Sequence, residues 1–261
     1  MLLAVDIGNT NIVLGLFDGV GANATLVHGW RMRTDARMTA DEMALTVRGL
    51  LGEYAGKVSG IAALSTVPAV LRELRVMLDQ YWPALPRVIV EPGVRTGVPL
   101  LYDNPREVGA DRIVNTLATY TLYGGPAVVV DFGTSTNFDV VSARGEFLGG
   151  ALAPGIEISV DALAVRAAQL VKVQLIRPRS VIGKSTVEAL QSGLLYGFAG
   201  QVDGLVRRIS AELAPDAGRA VVVVATGGLA PLVIAESETI THHAPDLTLH
   251  GLRMVFERNI R

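Results

Sequence analysis

The chain has 261 residues, half of them hydrophobic and 18% charged, with a formal net charge of −2, so it can bury a substantial core in one large domain or two ordinary ones. It has no cysteine, which excludes disulfides, thiolate catalysis and Cys-based zinc sites. Near-neutral charge without a Lys/Arg cluster argues against a nucleic-acid partner. No apolar run reaches the ~18 residues of a membrane span, and Met1–Val5 lacks the basic segment of a signal peptide, so a cytoplasmic protein is expected. The four histidines, His28, His242, His243 and His250, are too scattered for a His-based metal site, and His242-His243 is expected as an exposed loop pair.

Two apolar runs, Leu2–Val5 and Ile12–Phe17, flank the polar turn Asp6–Asn11, which predicts a β-hairpin from a buried sheet. A carboxylate at a strand tip can hold Mg²⁺ directly or through water. Gly8 lets the backbone approach a phosphate, and successive N–H groups with the Thr10 hydroxyl can cradle its oxygens. A single such turn is better explained as an ordinary capped hairpin.

A third strand is expected over Ala24–Met32, followed by the capping box Thr39-Ala40-Asp41-Glu42. That box opens a helix with Met43, Val47, Leu50, Leu51 and Tyr54 on one face. Gly60–Leu64 reads as a buried strand, Ser65-Thr66-Val67-Pro68 starts a helix to about Tyr81, and Val88–Val90 is a strand. Glu91–Pro105, rich in proline and glycine, is a loop; Val108, Ile113, Val114 and Leu117 mark a helix to about Tyr123. Gly124-Gly125-Pro126 then breaks the chain.

The opening phrase returns at Ala127–Val141, where Asp131-Phe132-Gly133-Thr134-Ser135-Thr136 separates two apolar strands. Further on come Phe147–Leu152, a helix over about Glu157–Leu170, a loop at Arg177–Lys184 and one long helix over Thr186–Leu213. Gly193, Gly197, Gly200 and Gly204 lie on one face of that helix, each costing about 1 kcal/mol relative to alanine. Close approach of another backbone, within the fold or across a dimer, explains such a stripe. Val221–Leu229 runs a strand into the Gly227-Gly228 turn, and an amphipathic helix over about Leu247–Asn259 ends the chain.

Repetition on this scale predicts two related halves, 1–118 and 119–261, facing a cleft. With these turns the sequence resembles the acetate and sugar kinase/Hsp70/actin superfamily. The resemblance implies an α/β fold of duplicated actin-like (ribonuclease H-like) ATPase domains, with the first two turns on phosphates and the Gly-Gly turn on adenosine.

Phosphoryl transfer to an alcohol needs phosphate cradles, cations bridging the phosphates and a base beside the acceptor hydroxyl. The base candidate is Asp111, in Gly109-Ala110-Asp111-Arg112 near a helix start. The helix terminus and Arg112 both favour its ionised form, and Arg112 can hold an anionic substrate. A surface charge pair explains these two residues equally well.

The ordered set Asp6-x-Gly8-Asn9-Thr10, Tyr102-Asp103-Asn104-Pro105, Gly109-Ala110-Asp111-Arg112, Asp131-Phe132-Gly133-Thr134, Gly149–Gly155, Ile182–Thr186 and Ala225–Gly228 is similar to that of type III pantothenate kinases, over essentially the whole chain. The resemblance implies Asp111 as proton acceptor. It implies pantothenate binding by Tyr102, Gly109, Ala110, Asp111, Arg112 and Thr186. It implies ATP binding, with Mg²⁺, by Asp6, Ile7, Gly8, Asn9, Thr10, Asn11, Ile12, Val13 and Thr134. Asp131 would ligate an activating K⁺ or NH₄⁺, and the enzyme would be a homodimer. Two departures stand out: Ser135 and Asn137 replace the family's more usual Ala and Thr, and Val171–Gln174 replaces a Pro- and Glu-containing stretch. The rival readings are a sugar or other small-alcohol kinase of the superfamily and a non-catalytic nucleotide-binding regulator.

Overall fold

The computed structural model describes residues 1–166, 173–217 and 219–260. It contains two five-stranded mixed sheets of the same design. In the first, β1 (Leu2–Ile7), β2 (Asn11–Asp18) and β3 (Thr25–Arg33) form an antiparallel meander. Helix α1 (Ala40–Leu51) leads to β4 (Gly60–Ser65), and α2 (Pro68–Tyr81) leads to β5 (Arg87–Ile89). Both of these strands run parallel to β1, and the order is β3-β2-β1-β4-β5.

After α3 (Ala110–Tyr123) the plan repeats, with β6 (Ala127–Phe132), β7 (Ser135–Val141) and β8 (Phe147–Pro154) as the meander. Then follow α4 (Ile156–Arg166), α5 (Thr186–Ala217), β9 (Val222–Thr226), α6 (Ala230–Ile234), β10 (His242–His243) and α7 (Leu247–Asn259). The second order, β10-β9-β6-β7-β8, is the first one reproduced strand for strand. The expected duplication is therefore real at the level of topology.

Local chemistry accounts for the elements. Thr39 and Glu42 form both halves of the capping box at the start of α1. The inward face of the first sheet (Leu3, Val5, Ile7, Leu14, Ile61) packs on Met43 and Val47 of α1 and Leu74 and Met77 of α2. The second sheet packs Val128, Val130 and Phe132 on Ala199, Val202 and Val206 of α5.

The chain divides into two compact units, Met1–Val98 with Asn104–Ala118 and Leu247–Arg261, and Pro99–Asp103 with Thr119–Asp246. The terminal helix α7, last in sequence, packs on β1, β2, β4 and β5 of the first unit. Thr248 of α7 donates to Asn115 of α3 at 2.9 Å, which ties down the helix that carries Asp111.

Some expectations shift. His242 and His243 are exposed as foreseen, but they form a two-residue strand beside Val224 and Ala225 instead of a loop. The long helix runs four residues past Leu213, to Ala217. The expected Ala167–Leu170 end of α4 and the departure at Val171-Lys172 lie outside the described residues. Among the described residues no helix is long and apolar enough to cross a membrane.

Candidate active site

In the first unit β1 ends at the buried Ile7, one residue after Asp6, and the backbone turns over Gly8, Asn9, Thr10 and Asn11 before Ile12 pairs with Ile7. The Gly8 N–H donates to the Asn11 carbonyl at 3.0 Å and closes this turn. Asn9 and Thr10 are exposed at its tip, whereas the Ile7 and Ile12 side chains belong to the hydrophobic core. Of the stretch Asp6–Val13, those two residues can therefore offer a ligand only their backbone. Two threonines brace the turn from outside. Thr66 donates its N–H to the Ile7 carbonyl at 2.9 Å, and Thr34 donates to the carbonyls of Thr10 and Gly8 at 3.0 and 2.7 Å. Sequence reasoning missed both, since a lone threonine after a strand carries no pattern.

Asp111 stands in the first turn of α3, with its carboxylate accepting the Arg112 N–H at 2.9 Å. The carboxylate folds back into the space a Cβ at position 109 would fill, so Gly109 is required for this rotamer. Burial raises the Asp111 pKa above the ordinary carboxylate value, against the opposing pull of the Arg112 N–H and guanidinium. Arg112 favours the ionised form, as expected, but desolvation outweighs it. The change suits a base, whose efficiency improves as its pKa approaches the working pH.

Asp6 is displaced further. Its residue is only half-buried by exposure, yet protein surrounds the carboxyl closely, and burial, with the charge of Asp111 second, lifts it to about 7. Both carboxylates are desolvated, and the charge of Asp111 acts on Asp6. Among the described residues no group of three or more His, Asp or Glu gathers as a metal cage. A carboxylate or two completed by nucleotide phosphates is the way proteins usually hold Mg²⁺, and Asp6 fits that ion.

In the second unit Asp131 is the penultimate residue of β6, opposite Asn137 of β7 and beside Thr226 of β9. Gly227 has φ of +90°, and a Cβ there would lie 2.6 Å from Asp131 Oδ1, so the Gly-Gly turn is glycine on two counts. Thr134 is exposed at the hairpin tip, and its carbonyl accepts the Gly155 N–H at 3.1 Å. Tyr102 lies on a segment paired with β8: Leu101 donates to the Phe147 carbonyl at 2.9 Å, and the Tyr102 and Phe147 rings meet at 5.9 Å. Thr186 is exposed at the start of α5, where the cap is supplied by Ser185, which accepts the Glu188 N–H at 3.2 Å. Asp6–Val13 and Gly109–Arg112 therefore belong to one unit, and Tyr102, Asp131, Thr134 and Thr186 to the other.

Two copies of one mixed sheet, each opening on an Asp-x-Gly turn, define a protein of the duplicated actin-like ATPase fold. Solved structures agree on the fold. A conserved Baf family protein from Campylobacter jejuni matches with a TM-score of 0.61 at 19% identity, covering 98% of each chain. An activator of 2-hydroxyisocaproyl-CoA dehydratase from Clostridium difficile, with bound ADPNP, matches with 0.56 at 12% identity over 99% of this chain and 95% of the other.

The chain belongs to the type III pantothenate kinase family, whose model matches residues 2–208. A type III pantothenate kinase from Saccharopolyspora erythraea is 71% identical over 99% of both chains. The activity is ATP-dependent phosphorylation of pantothenate to 4'-phosphopantothenate, the first step of coenzyme A biosynthesis, with a divalent metal.

Proposed function

We propose that Asp111 is the general base of this transfer and that the Asp6–Val13 turn holds ATP phosphates. The observation that carries the reading is the Asp6–Asp111 pair, in which the charge of one buried carboxylate raises the pKa of the other. Asp111 takes the proton of the pantothenate hydroxyl as its oxygen bonds to the γ-phosphorus and the bond to the β-phosphate oxygen breaks, releasing ADP. Arg112 holds the pantothenate carboxylate, with Gly109, Ala110, Tyr102 and Thr186 as further pantothenate contacts. Gly8 to Asn11 supply N–H groups to phosphate oxygens, and Thr134 contacts ATP from its own turn. Bound Mg²⁺ would supply positive charge to the phosphates and to Asp6. In a coupled assay Asp111→Asn should lower kcat by about 10²–10⁴ with ATP affinity retained, since an amide of the same shape cannot take the proton. Near-normal turnover would remove the assignment.

Asp131 is proposed to ligate an activating K⁺ or NH₄⁺, supported by the neutral oxygen-bearing side chains of Asn137 and Thr226 in register on either side of it. A division of the two sheets at 118/119, with α7 returning to the first unit, and a homodimer complete the reading. For the dimer the support is the glycine stripe: a Cβ added at Gly193, Gly197, Gly200 or Gly204 would meet nothing within 4 Å among the described residues, so none of these uses their smallness. A second copy is the commonest neighbour available to such a face. Light scattering at micromolar concentration should give the mass of two chains, and a single-chain mass would end the idea.

A further inference from the structure

The first phosphate turn is held by residues remote from it in sequence, and one of them grips it twice. Thr34 follows β3, the edge strand of the first sheet. Its N–H donates to the Thr10 carbonyl at 3.0 Å and its hydroxyl to the Gly8 carbonyl at 2.7 Å. Both acceptors lie in the turn itself. In a trans peptide the C=O and the following N–H point in opposite directions. Drawing the Gly8 carbonyl toward Thr34 therefore sets the N–H of Asn9 on the other side of the turn. The second hairpin has a different brace, because the Thr134 carbonyl there is held by the backbone N–H of Gly155. At the first turn, then, a single hydroxyl governs the direction of a peptide plane at the tip.

We infer that Thr34 is a positioning residue for ATP: its hydroxyl fixes the Gly8–Asn9 peptide so that the turn meets the nucleotide phosphate with its N–H groups already aimed. The inference rests on the reading that Asp6–Val13 holds ATP phosphates. Preorganised donors act without reorganisation when charge arrives, and a turn that must be ordered on binding loses affinity by that cost. The effect belongs to the nucleotide, since both hydrogen bonds that Thr34 donates go to carbonyls of the phosphate turn. Thr34 is half-buried at the rim of the sheet, and its own N–H bond to Thr10 survives replacement of the side chain. Folding is therefore not at stake in the test.

The full-length enzyme with Thr34→Val keeps the shape and the backbone bond but loses the hydroxyl. Its KM for ATP should rise about tenfold, the size of one hydrogen bond, with KM for pantothenate within twofold of the parent and the melting temperature within a few degrees. Thr34→Ser, which keeps the hydroxyl, should restore the ATP KM to within about threefold. Should the valine variant not fold, Thr34→Ala carries the same comparison. An unchanged ATP KM in Thr34→Val, an equal rise in both KM values, or a serine variant no better than valine would each overturn the inference. Gly8→Ala, whose Cβ would lie 3.2 Å from the Asn11 carbonyl, tests the underlying reading separately. If it raises the ATP KM while Thr34→Val does not, only the role of Thr34 falls. If neither variant moves it, the phosphate reading of the turn falls as well.

Discussion

The two Asp-x-Gly turns look alike as text and differ as chemistry. Ile7 pairs with Ile12 across Gly8, Asn9, Thr10 and Asn11, whereas Phe132 pairs with Thr136 across only Gly133, Thr134 and Ser135. The first turn is one residue longer. The carboxylates differ more. Asp6 stands between Val13 and Leu64 in register, two apolar neighbours, with the charge of Asp111 nearby. Asp131 stands between Asn137 and Thr226, two neutral polar ones. Duplication supplied one scaffold twice, and the neighbours in the strand row give each carboxylate a different setting. Asp6 is dry and repelled, which is the state the proposed cation and phosphates would relieve. Asp131 sits in a row of oxygen-bearing side chains suited to a weakly held monovalent ion.

If that contrast is right, removing Asp6 should separate activity from stability. Asp6→Asn should reduce kcat by about 10²–10³, since a charge that helps hold Mg²⁺ and phosphates is worth several kcal/mol. The same change should stabilise the ligand-free protein at pH 8. The sign follows from linkage. Asp6 has its ordinary value of 3.8 when unfolded and about 7 when folded. Between those values the folded state binds more protons, so stability falls as pH rises through the window, by up to about 1.4 kcal/mol per pH unit from this group. Thermal unfolding of the ligand-free enzyme from pH 4 to pH 8 should show this fall, reduced in Asp6→Asn and in the presence of Mg²⁺-ATP. A flat profile in the parent, or one steepened by the mutation, would mean Asp6 is not the strained carboxylate.

The second turn should answer to the monovalent ion. Asp131→Ala is expected to lose most of the activation by K⁺ or NH₄⁺, a change of about tenfold from one charged ligand, while the Mg²⁺ dependence stays near that of the parent. Assays in potassium and in sodium-only buffer measure it. Full parental activity in sodium, or a K⁺ response retained in the variant, would erase the proposed division of labour.

How much of this could be read from the sequence depends on range. The hairpins, the capping box at Thr39 and the helices α1, α2, α3 and α7 follow from local periodicity and caps, and they stand where expected, except that α1 stops at Leu51 and leaves Tyr54 in a following 3₁₀ turn. The duplication was legible because both meanders open on the same phrase. What needed coordinates was everything set by distant neighbours. Thr34 and Thr66 reach the turn across 26 and 59 residues. The tuning of Asp111 was misjudged because Arg112 and the helix start are visible in sequence, whereas the depth of burial around α3 is not. The stripe from Gly193 to Gly204 was legible as a spacing, but only the fold reveals the open space before it.

The smallest effect concerns the two residues by which the second turn departs from its relatives. Ser135 donates its hydroxyl to Asn137 Oδ1 at 2.9 Å, so the departures are partners in one contact. Asn137 is also the cross-strand neighbour of Asp131, which places the pair beside the proposed monovalent ion. Replacing Ser135 by Ala should leave the Asn137 amide without that donor, and replacing Asn137 by Thr should leave the serine without its acceptor. Each single change is expected to cost about 0.5–1.5 kcal/mol. The double change, which restores the family's more usual residues, should cost less than the two summed, because contacting residues couple by about 0.5 kcal/mol or more. Denaturant unfolding of the four proteins closes the cycle, and K⁺ titrations of the same four show whether the half-saturating concentration follows the coupling. Strict additivity in both measurements would mean that the pair is two independent substitutions, and that the second turn tunes its ion by Asp131 and Thr226 alone.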